Sequence, residues 1–160
     1  ALARAKCEAV AALPQAAGRL VIGCDSVFEL DGQPLGKPYT AAVARERIGQ
    51  MRGRTGHLHT GHWLIDTRSP DDGGTGLSEG ALAGADVTFA AMTDDEIAAY
   101  VDTEEPLWVA GSFTLDGYGA AFIERVDGDL HAVIGLSINT LRQLAGRAGV
   151  PVRRLWGREA

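Results

Sequence analysis

LVIGCDSVFELDGQPLGKP, running from Leu20 to Pro38, is the stretch whose reading decides the fold. Leu20-Val21-Ile22 is an unbroken apolar run, which predicts a buried strand over residues 20–24. The run delivers a carboxylate, Asp25, beside a hydroxyl, Ser26, and resumes with Val27-Phe28. Asp31-Gly32 is a two-residue turn signal of the kind that closes hairpins. Gly36-Lys37-Pro38 follows, a cation between a permissive residue and a rigid one. A carboxylate at the end of a buried strand is costly unless something compensates it, a nearby lysine or a metal for example. Chemistry is therefore expected around Asp25 and Lys37.

The elements on either side of this stretch alternate. Residues 1–13 are alanine-rich and end at Pro14, predicting a helix with Leu2, Cys7, Val10 and Leu13 inward. Thr40 caps a second helix over Ala41–Met51, with Val43, Ile48 and Met51 on one face and Arg45, Glu46 and Arg47 in solvent. His57–Asp66 reads as a strand, and the Gly-, Ser- and Asp-rich segment 67–84 as a flexible surface loop. Asp86–Phe89 is another short strand. Thr93 and Glu96 form a capping box for a helix to about Tyr100. Ala120–Arg125, a turn at Asp127-Gly128 and Ala132–Ile134 predict a further hairpin, and Ile138–Ala148 a last helix. Helices interleaved with hairpins specify an α/β fold with a mixed sheet.

At 160 residues the chain supports one well-formed domain. Its net charge of −6 argues against a broad nucleic-acid surface, though not against a small anion pocket. No apolar run reaches the roughly 20 residues of a membrane span, and no export signal is visible, so a cytoplasmic protein is expected. Cys7 and Cys24 lack the spacing of a redox or metal motif and read as two reduced thiols.

Several constellations have plainer readings beside them. Gly32–Lys37 superficially resembles a phosphate loop, but it is one residue short and Pro38 stands where the Ser or Thr would bind magnesium. Lys37 stays a candidate point charge for phosphate; the alternative is a surface lysine in a turn. His57 and His59 share a strand face and His62 falls on the other, a poor arrangement for zinc. Asp25 and Asp116, each flanked by apolar or glycine residues, could hold a divalent ion or simply form turns. Serine-hydrolase chemistry lacks its GxSxG.

Taken in order, LARAKCEAV (2–10), VIGCDSV (21–27), LGKP (35–38), MRGRTG (51–56), TGHWLID (60–66), EPLWVAGSFTLDGYGAAFIERVDGD (105–129) and HAVIGLSINTLRQL (131–144) resemble the Maf, or septum-formation-inhibitor, family of nucleoside triphosphate pyrophosphatases. TGHWLID and FTLDG look like actinobacterial variants. The resemblance implies a single domain over 1–160 with a Maf/ITPase-like two-lobed fold: a long curved mixed sheet, flanking helices and a central cleft. It implies a homodimer that cuts nucleoside triphosphates to a monophosphate and pyrophosphate with a divalent metal, Mg²⁺, or Mn²⁺ or Co²⁺ in its place. Pyrimidine or modified nucleotides are the expected substrates, with no nucleic-acid or membrane partner.

Residue by residue, Asp25 matches the acidic residue of the family's GADT motif, taken as proton acceptor or metal ligand, with Ser26 in place of its threonine. Lys37 matches the phosphate-facing lysine of GKP, and Lys6 the lysine of the preceding helix. Asp116 stands where one subfamily has Gln and another Glu, a specificity position. Gly56 replaces the histidine of the family's GRTH segment, and Ser137 the proline of GLPL. Family members also begin with a strand and a Ser-x-Ser-Pro-x-Arg loop that has no counterpart before Ala1. A missing first strand would leave an open sheet edge, so about 30–40 further residues are expected there.

The residues suit this chemistry. A triphosphate carries about four negative charges, and its hydrolysis is largely positioning and charge neutralisation. An aspartate of ordinary pKa, roughly 4, is a weak base at neutral pH, which favours Asp25 as a metal ligand that orients water. The alternative function is a nucleotide-binding regulator of cell division without catalysis.

Overall fold

β1 runs from Leu20 to Leu30 in the computed structural model, which describes residues 1–157. It is 11 residues long, so Asp25 and Ser26 lie within the strand rather than beyond its end. Asp31 (φ 52°) and Gly32 (φ 75°) turn the chain into β2, Gln33–Leu35. Both positive angles match a primed hairpin turn. The register sets Phe28 opposite Leu35 and Leu30 opposite Gln33.

The other strands are β3 (Thr55–Asp66), β4 (Ser78–Phe89) and β5 (Ile123–Gly128), and the sheet order is β2-β1-β3-β4-β5. The β1–β2 and β4–β5 pairs are antiparallel. The helices are α1 (Leu2–Ala11), α2 (Ala41–Met51), α3 (Asp94–Asp102), α4 (Leu130–Ile134), α5 (Ile138–Arg147) and α6 (Val152–Leu155). The α/β class is as expected. Among the described residues no helix is long and apolar enough to cross a membrane.

The chain divides into two compact units. The first comprises Ala1–Asp25, Thr60–Ala83 and the segment from Gly135 onward. Cys7, Ala16 and Val21 form one of its apolar clusters, and Leu64, Leu144 and Ala148 another. Asp66 anchors it: its carboxylate accepts hydrogen bonds from the Arg68 guanidinium and from the Thr75 amide and hydroxyl. Chiefly the hydrogen bonds of Arg68 hold the Asp66 carboxyl far below the usual carboxylate range.

The second unit comprises Ser26–His59 and Gly84–Ile134. Its centre is an edge-to-face triad in which Phe28 lies 5.7 Å from Phe89 and 5.4 Å from Phe113. Such pairs add about 0.5–1.5 kcal/mol each beyond their buried area. Ile48, Met92, Ile97, Tyr100 and Leu107 build a second cluster between α2 and α3. The capping box at the start of α3 is present, with the Glu96 amide donating to Thr93 Oγ1 at 3.2 Å and the Thr93 amide to Glu96 Oε2 at 2.7 Å.

Several expectations change, beginning with the strand expected over 120–125 and its turn at Asp127-Gly128: Tyr118–Phe122 is a 3-10 turn, and β5 starts at Ile123 and runs through Asp127-Gly128. Residues 132–134 belong to helix α4, not to a returning strand, because the Asp129 carboxylate accepts the Ala132 amide at 3.0 Å and starts a helical turn. Of the expected loop 67–84, residues from Ser78 onward are already β4. On α1, Leu2 and Val10 are exposed, and Leu13 beyond it also faces solvent; Ala3 and Cys7 are the buried pair. Their backbone lies so close to Gly23 that a Cβ there would fall 2.7 Å from the Cys7 amide nitrogen. Small residues at i and i+4 permit that approach, and larger side chains are displaced to the outer face. Finally, Arg47 is not simply solvated: its guanidinium donates to the Gly36 carbonyl at 2.6 Å.

Candidate active site

The close seating of α1 on β1 places Lys6 over Asp25. Lys6 Nζ lies 2.5 Å from Asp25 Oδ1, an ion pair between a lysine side chain 59% exposed and a carboxylate 20% exposed. The Cys7 thiol donates to the Val21 carbonyl at 3.2 Å and pins the same helical turn to the strand. Lys6 is thus the compensating charge that the strand carboxylate required. Burial raises the Cys7 and Cys24 thiols, which leaves them protonated and poor nucleophiles at neutral pH. Ser26 follows Asp25 on β1 and is half-buried.

Within the second unit, Lys37 is exposed in the short link between β2 and α2. That link is held at both ends. Arg47 grips the Gly36 carbonyl, and the Tyr39 amide donates to the Leu107 carbonyl at 3.0 Å. Tyr39 takes φ 61°, a left-handed conformation unusual for a bulky residue, and its ring meets Trp108 edge-on at 6.2 Å. Thr40 then caps α2 by accepting the Val43 amide.

Asp116 is exposed in the same unit, on a loop wound around Glu105. Glu105 Oε1 accepts the Tyr100 hydroxyl at 3.0 Å, the Gly119 amide at 2.9 Å and the Thr114 hydroxyl; Oε2 accepts the Tyr118 amide at 2.9 Å. Burial pushes the Glu105 carboxyl up, but these donors outweigh it and hold it below its ordinary value. Burial, then the Glu105 hydrogen bond, raises the Tyr100 phenol. In the sequence Glu105 is only the acid that precedes Pro106. An acid placed before a proline and ahead of a glycine-rich loop was the available signal.

The structure therefore brings Lys6 and Asp25 together, and assigns Lys37 and Asp116 to the second unit. The departure at Gly56 has a packing reason. Gly56 is buried, and a Cβ there would lie 2.7 Å from the Glu29 carbonyl oxygen and 2.9 Å from the edge of the Phe28 ring, leaving no room for a histidine. His57, next along, bonds Asp86 at 2.6 Å, and His59 approaches Glu29 at 3.4 Å. His62 is buried, its Nδ1 donating to the Thr60 carbonyl and its Nε2 accepting the Ser137 amide at 2.9 Å. Those two bonds select the Nδ1–H tautomer.

Among the described residues, no three His, Cys, Asp or Glu side chains gather as a ready-made metal cage. Magnesium does not require one, being held commonly by one or two carboxylates together with substrate phosphates and water. Asp25, only partly buried and with a second oxygen outside the Lys6 contact, fits that donor pattern.

Comparison with known proteins agrees with this architecture. A family model described as Maf-like protein matches residues 1–148. A nucleoside triphosphate pyrophosphatase of Streptomyces avermitilis is 53% identical over 156 residues, covering 98% of this chain and 73% of the relative. One from Salinispora tropica is 49% identical over 160 residues, 98% of this chain and 68% of the relative. A nucleoside triphosphate pyrophosphatase/Nudix hydrolase fusion protein of Bifidobacterium longum is 48% identical over 139 residues, 87% of this chain and 28% of the relative. The chain belongs to the Maf family.

Proposed function

We propose that this protein is a nucleoside triphosphate pyrophosphatase that adds water at the α-phosphorus and releases a nucleoside monophosphate and pyrophosphate. The observation that carries the reading is the Lys6–Asp25 pair, in a chain half-identical to relatives named for that activity. An ammonium beside a carboxylate is poised for exchange. A phosphate oxygen competes for Lys6, and the freed Asp25 oxygen can accept a hydrogen bond from the attacking water and orient it. Lys6 then offsets negative charge on the phosphates. A divalent cation, Mg²⁺ with Mn²⁺ or Co²⁺ as substitutes, would be held by Asp25 and supply further neutralisation of the leaving pyrophosphate.

Lys37 and Asp116 enter this reading through the family resemblance, Lys37 as a second phosphate-facing cation and Asp116 as the residue that selects the base. Pyrimidine or modified nucleotides are the proposed substrates and a homodimer the proposed assembly. The test is phosphate detection with and without coupled inorganic pyrophosphatase over dTTP, UTP, CTP and 7-methyl-GTP, with Mg²⁺ present. The expected result is phosphate only when the coupling enzyme is added. Orthophosphate released without it, or nucleotide binding with no product, would overturn the proposal, the latter in favour of a non-catalytic regulator.

A further inference from the structure

We propose that Glu105 is a positioning residue for base recognition, its carboxylate fixing the backbone of 114–119 and hence the place of Asp116. The inference rests on the nucleotide reading above and deepens it. Among the described residues Asp116 has no ion-pair partner and is exposed, so its position is set by its own backbone. That backbone is tied on the C-terminal side by the Tyr118 and Gly119 amides and on the N-terminal side by the Thr114 hydroxyl, all three donating to one carboxylate. The Thr114 amide donates in turn to the Tyr100 hydroxyl at 3.2 Å, and that hydroxyl donates to Glu105. The loop is therefore wrapped around a charge.

Gly117 carries an independent sign of the same arrangement. Its φ of −133° is open to any residue, so backbone conformation does not demand glycine there. A Cβ at Gly117 would instead lie 2.8 Å from Glu105 Cδ and 2.9 Å from Oε1. A carboxylate tip can ordinarily swing away from such a contact, but this one is held by four donors. The glycine beside Asp116 is the space that Glu105 needs.

The two amides also explain why a carboxylate is needed. Hydroxyls can reverse and accept, whereas the Tyr118 and Gly119 amides can only donate, one to each Glu105 oxygen. In Glu105→Gln one oxygen becomes a donor, so one amide must face another N–H whichever way the side chain flips. Gly117→Ala perturbs the same contact from the loop side.

Both variants are to be compared with the unaltered protein by hydrogen exchange and by ligand affinity. At least one of the Tyr118 and Gly119 amides is expected to exchange about tenfold faster or more in each variant, the size of one lost charge-assisted hydrogen bond. The Glu96 amide in the capping box of α3 is the control and should not change. For affinity, non-hydrolysable α,β-methylene analogues of pyrimidine and purine triphosphates are measured beside inorganic tripolyphosphate. Discrimination between bases is expected to shrink by about tenfold with tripolyphosphate affinity preserved.

Unchanged exchange at Tyr118 and Gly119 would overturn the inference. So would an equal loss of affinity for nucleotides and tripolyphosphate, which marks a merely structural role, or unchanged base discrimination. If the unaltered protein binds the analogues selectively but hydrolyses no triphosphate, the enzymatic reading fails while the role of Glu105 is decided by the affinities. If it binds no triphosphate, both fail.

Discussion

Asp66→Asn perturbs a carboxylate that is wholly out of solvent and accepts five hydrogen bonds. They come from the Arg68 amide at 3.1 Å, Arg68 Nε and Nη2 at 2.9 Å each, the Thr75 amide at 2.8 Å and the Thr75 hydroxyl at 3.1 Å. Arg68 is only 13% exposed and has one further acceptor, the Ala148 carbonyl at 2.6 Å. Asparagine keeps one oxygen and turns the other into a donor facing donors, leaving the guanidinium uncompensated. Removing one partner of a buried pair costs about 3–5 kcal/mol. At about 2–4 °C per kcal/mol for a chain of this size, the melting temperature should fall by roughly 6–20 °C. The Asp66 carboxyl is depressed in the folded state, so its stabilisation is fully present above the unfolded value of roughly 4 and is lost as pH falls toward the folded one. Urea unfolding of both proteins from pH 7 down to pH 2 should give a constant gap above about pH 5 that narrows on acidification. A gap under about 0.5 kcal/mol at pH 7, or one that does not narrow below about pH 4, would refute the reasoning.

Gly23→Ala should push α1 off β1, since the new Cβ would lie 2.5 Å from the Ala3 carbonyl oxygen. A loss of about 1–3 kcal/mol is expected in urea unfolding, with weaker pyrophosphate release because Lys6 moves with the helix; wild-type behaviour in both would contradict the seating described. Gly56→Ala should likewise cost about 1–3 kcal/mol by pressing on the Phe28 ring, and unfolding midpoints check it. Restoring the family's histidine at that position should be worse still.

The sequence carried much of this fold because its local signals agree with each other. Asp31-Gly32, Thr40, and Thr93 with Glu96 each name a turn or cap by chemistry that acts within four residues, and each stands where expected. The α4 segment was misread because Ala-Val-Ile is too short for its period to tell strand from helix, and the Asp129 cap decided it. The buried face of α1 was misread because apolarity pointed to Leu2 and Val10, while contact distance to Gly23 selected Ala3 and Cys7.

The candidate site divides along similar lines. Asp25 was legible as a charge needing a partner, and Lys6 meets it from 19 positions away in the chain. Glu105 and Arg47 were not legible, since each acts on backbone atoms brought near by folding, and no residue pattern records an amide or carbonyl as a partner.

The most direct measurement of the central claim is pyrophosphate release by Asp25→Asn against the unaltered protein, at saturating Mg²⁺ with the best triphosphate of the panel. Asp25 is partly exposed and its Lys6 partner half-exposed, so the variant should fold, its stability within about 1 kcal/mol of wild type. Loss of the group that orients water should lower turnover by about a hundredfold or more. Near-normal release from a folded Asp25→Asn protein would contradict the assignment of Asp25 as the chemical centre.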